Sequence, residues 1–96
     1  MVGRNVYEQT KRSLEIIERA ITACGASLTN ITRTRIMLTD MTKWKEAARG
    51  HGDRFSDIRP ACTFVQVVGL IDPEWFVEIE ADAIVSVSDH AEAQSQ

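Results

Sequence analysis

From Val77 to Ala83 the chain alternates without a break: Val77, Ile79, Ala81 and Ala83 are apolar, while Glu78, Glu80 and Asp82 are acidic. A period of two sends successive side chains to opposite faces, so the segment reads as a strand with one face on a core and the other outside it. Val85 extends the apolar set, and the strand is predicted over residues 75–86. A second apolar run, Cys62 to Leu70, precedes it across Ile71-Asp72-Pro73-Glu74. Two strands around such a turn pair most simply as antiparallel neighbours. A third strand, rich in Ile and Thr, is predicted over Ile31–Leu38, with Arg33 and Arg35 on alternate positions.

The rest of the chain carries helical spacing. Leu14, Ile17 and Ile21, extended by Val6, Ala20 and Cys24, form one stripe that Gly25 is well placed to end as a left-handed cap. Trp44, Ala47, Ala48, His51 and Phe55 share the face of a second helix, predicted from about Lys43 to Phe55 and capped by Asp40 or Thr42. Gly50 and Gly52 weaken that helix by roughly 1 kcal/mol each relative to Ala. Ile58-Arg59-Pro60 is extended, because the residue before proline is pushed away from helix. The order helix, strand, helix, strand, strand predicts a two-layer α+β domain, with both helices on one face of a mixed sheet. At 96 residues there is room for one domain, expected over residues 1–88, with Asp89–Gln96 as a polar tail.

Strand parity makes further predictions. Thr63, Val65 and Val67 are expected beneath the helices. Cys62, Phe64, Gln66, Glu78 and Glu80 are expected on the other face, a mixed surface suited to a subunit interface with a pocket in it. All 11 Lys and Arg lie between Arg4 and Arg59 against 7 acids, net +4, while the chain from Pro60 onward is net −7. Such halves cancel across one sheet more readily than they make a nucleic-acid surface, since no aromatic residues interleave the bases. No apolar run approaches the roughly 20 residues of a membrane helix. The first residues lack the apolar core of a secretion signal, so a cytoplasmic location is expected. Cys24 and Cys62 have no metal-ligand spacing and read as buried, reduced thiols. A Cys62 nucleophile with His51 as its base is the weaker reading, because the two lie on different elements.

Arg59-Pro60-Ala61-Cys62-Thr63-Phe64-Val65 followed by Val77-Glu78-Ile79-Glu80-Ala81 resembles the signature end of the YjgF/Rid family. The earlier pieces agree in order and spacing: Gln9-Thr10 entering a helix that ends at Gly25-Ala26-Ser27-Leu28, then Leu38-Thr39-Asp40-Met41, then an aromatic helix ending at Phe55. The resemblance covers about residues 6–86. It implies a chorismate-mutase-like fold, a homotrimer with ligand clefts between subunits, and hydrolysis of reactive enamines or imines without metal or organic cofactor. The family's water-activating glutamate falls on Glu78. Its carboxylate-gripping arginine falls on Cys62, a neutral side chain that cannot form a two-pronged clamp. A cleft asparagine falls on Ala48. The family's first hairpin, with a tyrosine and a Ser-Gly turn, has no counterpart, so the domain reads as shortened at its N-terminus.

The expected site is therefore Glu78 as the catalytic group, with Cys62, Phe64 and Arg59 binding a small molecule such as a carboxylated imine or enamine. Three activities compete: a Rid-like binder and hydrolase with an altered site, a non-catalytic ligand-binding or assembly module, and a ribonuclease. The last has little support from one histidine in the domain and no basic aromatic groove.

Overall fold

The computed structural model describes residues 5–85. The predicted tail Asp89–Gln96, the far end of the last predicted strand at Ser86, and the first four residues lie outside that range. Helix α1 spans Val6–Ala23, strand β1 Ile31–Leu38, helix α2 Trp44–Phe55, strand β2 Ala61–Gln66 and strand β3 Val77–Ala83, with single 3-10 turns at Leu28–Asn30 and Met41–Lys43.

The Asn5 side chain starts α1 by accepting from the Glu8 amide at 2.8 Å, which satisfies one of the helix's unpaired donors. Its other end closes as predicted at Gly25, with φ +87°. There the Gly25 amide donates to Thr22 O and the Ala26 amide to Ile21 O, the paired bonds of a glycine-terminated helix. Asp40 accepts from the Thr42 amide and hydroxyl at the entry to the second helical segment. Those two bonds, the hydroxyl's first, hold its carboxyl below the usual range.

The sheet corrects one expectation. Its strand order is β2-β1-β3, with β1 parallel to β2 and antiparallel to β3. β2 and β3 are therefore the two outer strands of this sheet and do not pair with each other. The reason lies in the connections. Helix α2 is long enough to carry the chain back for a parallel neighbour, whereas a hairpin loop takes 2–5 residues and ten separate β2 from β3. That ten-residue connection crosses from one edge to the other and is held by the Gln9 side chain, which accepts from the Phe76 amide at 2.8 Å and donates to Glu74 O at 3.2 Å.

Both helices pack on one face of the sheet. Val6, Ile36, Leu38, Ala47 and Val77 form one buried cluster, against which Met41, Phe64 and Ile79 pack. Leu14, Ile31 and Phe55 form a second, also touched by Ile79. A register irregularity between Ile31 and Arg33 lets Ile31 join the same face as Thr34, Ile36 and Leu38. Among the described residues, no helix is long and apolar enough to cross a membrane.

Candidate functional site

The face of the sheet away from the helices carries the charge. Cross-strand register sets Arg33 beside Asp82, Arg35 beside Glu80 and Met37 beside Glu78. Arg33 Nε donates to Asp82 at 2.9 Å, and its NH2 group lies 3.5 Å from Glu80. Arg35 reaches the same Glu80 oxygen at 3.1 Å. The Asp82 hydrogen bond, then its charge, raises the Arg33 pKa. Two guanidiniums thus hold two carboxylates in a ladder that stops short of Glu78. Glu78 is exposed, stands opposite an apolar neighbour, and makes no ion pair or side-chain hydrogen bond among the described residues.

The remaining predicted residues lie elsewhere, and here parity on β2 is the reverse of the expectation. Thr34, Ile36 and Leu38, all buried beneath the helices, are in register with Cys62, Phe64 and Gln66. Phe64 packs on the core and meets Trp44 edge-to-face at 6.3 Å between ring centres. Gln66 accepts from the Met41 amide. Thr63 and Val65 therefore take the open face. The alternate sets of β2 are nearly equal in apolar character, so only the register against buried β1 settles which set is inside. It follows that Glu78 and the pair Cys62 and Phe64 occupy opposite faces of one sheet, and one chain does not bring them to a common point.

Both cysteines are exposed, contrary to the expectation of buried thiols. Cys24 is the residue at which α1 ends, and Cys62 lies on outer strand β2. His51 is half-buried, stacked on Phe55 at 4.6 Å and hydrogen-bonded through Nε2 to Thr34 Oγ1 at 2.9 Å. Burial lowers its pKa. Its ring bonds to Thr34 and makes no hydrogen bond to the Cys62 thiol, so the two do not form a nucleophile–base pair. Arg59 is not extended as expected ahead of Pro60: its backbone is left-handed, φ 56°, its amide closes a turn onto Phe55 O at 2.8 Å, and its Nε donates to Ser56 O at 3.3 Å. Ala48 is half-buried on α2. Among the described residues no group of three or more His, Cys, Asp or Glu is placed to hold a metal.

Sequence reasoning missed one concavity. A cavity of about 430 Å³ opens where α1 begins, β1 ends and α2 is entered, lined by Asn5, Val6, Thr39, Asp40, Lys43, Glu46 and Phe76. Its polar groups are largely taken up locally, by the capping bonds of Asn5 and Asp40 and by the loose Lys43–Glu46 pair at 4.0 Å. Asp40 was legible in the sequence as a cap; the Asn5 cap, and the convergence of both with Phe76 from the far end of the chain, were not.

The family model described as endoribonuclease L-PSP matches residues 1–85. An uncharacterized protein of Streptomyces coelicolor is 32% identical over 80% of this chain and 58% of its own length. The 3-aminoacrylate deaminase RutC of Acinetobacter baylyi is 34% identical over 80% of this chain and 60% of its own. The chain thus spans about three fifths of these relatives. Among solved structures, a Mycobacterium tuberculosis protein of the YjgF/YER057c/UK114 family superposes with a TM-score of 0.86 at 43% identity, covering 88% of this chain and 71% of that one. Two helices on one face of a mixed sheet, the ordered motifs along the chain and the match over residues 1–85 agree, and the chain belongs to the YjgF family.

Proposed function

We propose that the protein is a Rid-like small-molecule-binding protein that hydrolyses an enamine or imine, with Glu78 as general base. The observation that carries this reading is the Glu78 carboxylate, the one acid of β3's outward row left outside the Arg33–Arg35 ladder. An exposed carboxylate with no cation holding it among the described residues is available to a water molecule, and positioned proton transfer of this kind contributes roughly 10²–10⁴-fold to rate. Glu78 takes a proton from water as the hydroxyl adds to the imine carbon, and the nitrogen takes up a proton. The resulting amino alcohol then collapses to a carbonyl and ammonia. Water is the only co-reactant, and neither metal nor organic cofactor is required by the balance.

Glu78 and the Cys62–Phe64 wall share a ligand only if a second copy supplies one of them, as in a homotrimer with clefts between subunits. The exposed Trp44, Val68 and Ile71 give such an assembly apolar surface to bury. The test is to mix the protein with freshly generated 2-aminoacrylate and follow its loss. Acceleration over buffer that falls at least ~100-fold in Glu78→Gln, with Glu80→Gln retaining it, is expected. No acceleration, or an equal rate in Glu78→Gln, overturns the enzymatic reading.

A non-catalytic ligand-binding module is the second reading, favoured by the neutral Cys62 at the position of the family's arginine. It predicts ligand-induced thermal shifts without turnover. An RNA-cleaving role has less behind it. Most of the described bases are already engaged by carboxylates, rings or backbone carbonyls, leaving no continuous groove for a phosphate chain.

A further inference from the structure

The cavity of about 430 Å³ between the start of α1 and the entry to α2 includes neither Glu78 nor the Cys62–Phe64 wall in its lining. Its volume falls at the small end of the range for ligand pockets, roughly 300–1,000 Å³. Three kinds of surface meet in it. Val6 and Phe76 are apolar, and Phe76 is 38% exposed, high for an aromatic ring. Lys43 is its cation, and the positive end of α1 opens on it at Asn5 and Val6. Asp40 and Glu46 are its carboxylates.

The charged groups keep capacity beyond their local bonds. Both Thr42 bonds fall on Asp40 Oδ1, so Oδ2 has no partner among the described residues. The α1 cap uses Asn5 Oδ1 and leaves the side-chain nitrogen. Lys43 and Glu46 stand 4.0 Å apart, the outer limit of an ion pair, and Lys43 is 53% exposed, so both are free to turn to a ligand. A ligand of one sign fits this set poorly. An anion that reaches Lys43 also meets Asp40 and Glu46, and a cation that reaches those carboxylates also meets Lys43 and the end of α1. A molecule carrying both charges pairs each with its opposite, and an alkyl group between them covers Val6 and Phe76.

We propose that this cavity binds a zwitterionic α-amino acid with an apolar side chain, at a site separate from Glu78. The inference does not rest on the hydrolytic reading above. L-Leucine and two fragments of it make the test: 3-methylbutylamine lacks the carboxylate, and 4-methylpentanoate lacks the ammonium. Each is titrated into the protein while ¹H–¹⁵N shifts are recorded. Leucine is expected to bind roughly tenfold or more tighter than either fragment, the effect of one charge-assisted hydrogen bond, with the largest shifts at Val6, Thr39, Asp40 and Phe76. Lys43→Gln should erase its advantage over the amine. Asp40→Asn, which removes the charge but keeps a good capping residue, should reduce its advantage over the acid. Glu78→Gln and Cys62→Ala should leave leucine binding unchanged.

Either fragment binding as tightly as leucine overturns the inference, and so does no binding of all three. Leucine shifts centred on Cys62, Phe64 or Glu78, or an affinity untouched by both Lys43→Gln and Asp40→Asn, also overturn it. Imine hydrolysis without leucine binding at the cavity removes this inference and leaves the hydrolytic reading; leucine binding there without hydrolysis does the reverse.

Discussion

Gly50→Ala sets two known effects against each other at one atom. In an isolated helix the change is favourable by about 0.8–1 kcal/mol, because glycine loses more backbone freedom on folding. In this protein Gly50 is buried where α2 crosses α1. A Cβ there would stand 2.9 Å from Thr10 Cγ2, 3.0 Å from Thr10 Cβ and 3.3 Å from the Tyr7 carbonyl oxygen. Thr10 is fully buried and β-branched, so its rotamer has little room to yield, and the carbonyl belongs to the α1 backbone. Overpacking of this kind costs about 1–3 kcal/mol. The net expectation is a loss of about 1 kcal/mol, or a fall in Tm of roughly 4–8 °C for a domain this size.

Gly52, two residues along the same helix, provides the control: nothing lies within 4 Å of its virtual Cβ. Gly52→Ala should show the propensity gain alone, about 1 kcal/mol, so the two variants differ in sign. Thermal and urea denaturation at one protein concentration measure both. Removing the obstructing methyl with Thr10→Ser should be less harmful in the Gly50→Ala background than alone, a coupling a double-mutant cycle reads directly. Equal stabilisation by both alanines would refute the argument that close helix packing, and not tolerance of a poor helix former, explains Gly50.

Two further expectations concern groups the fold buries. Gln9→Leu would remove the part-buried hydrogen bonds to the Phe76 amide and the Glu74 carbonyl, at about 0.5–1.5 kcal/mol each. Hydrogen exchange should show the β2–β3 connection loosening before the sheet does, and unchanged protection there would count against the clamp. His51 titrates below its usual value in the folded chain because burial disfavours the imidazolium. The unfolded chain then binds more protons, so His51's contribution is complete above the unfolded pKa of about 6.5 and declines as pH falls toward the folded value. Comparing denaturation midpoints of the parent and His51→Gln across that range checks the sign: the parent's should fall more steeply on acidification, and parallel curves would refute it.

The alternation at Val77–Ala83 and the stripes around Leu14 and Ala47 were sufficient to name the elements, because each period is a local property of the chain. Gly25 and Asp40 likewise marked their boundaries, since capping involves only near neighbours. The ordered motifs also carried the family. Pairing was not local. Whether β3 lies beside β2 or beyond β1 depends on the path of the ten-residue connection, and nothing in Val67–Phe76 specifies it until Gln9 grips its end.

The same holds for the faces. On β3 the contrast between Ile79 and Glu80 is so large that parity alone assigns inside and outside. On β2, Phe64 and Val65 are both apolar, and only register with the buried Ile36 puts Phe64 under the helices and leaves Val65 on the open face. The sequence by itself therefore determined the elements, the fold class and Glu78's outward aspect. Tertiary structure alone decided that Cys62 and Phe64 face away from it, because burial on one strand is set by the strand beside it.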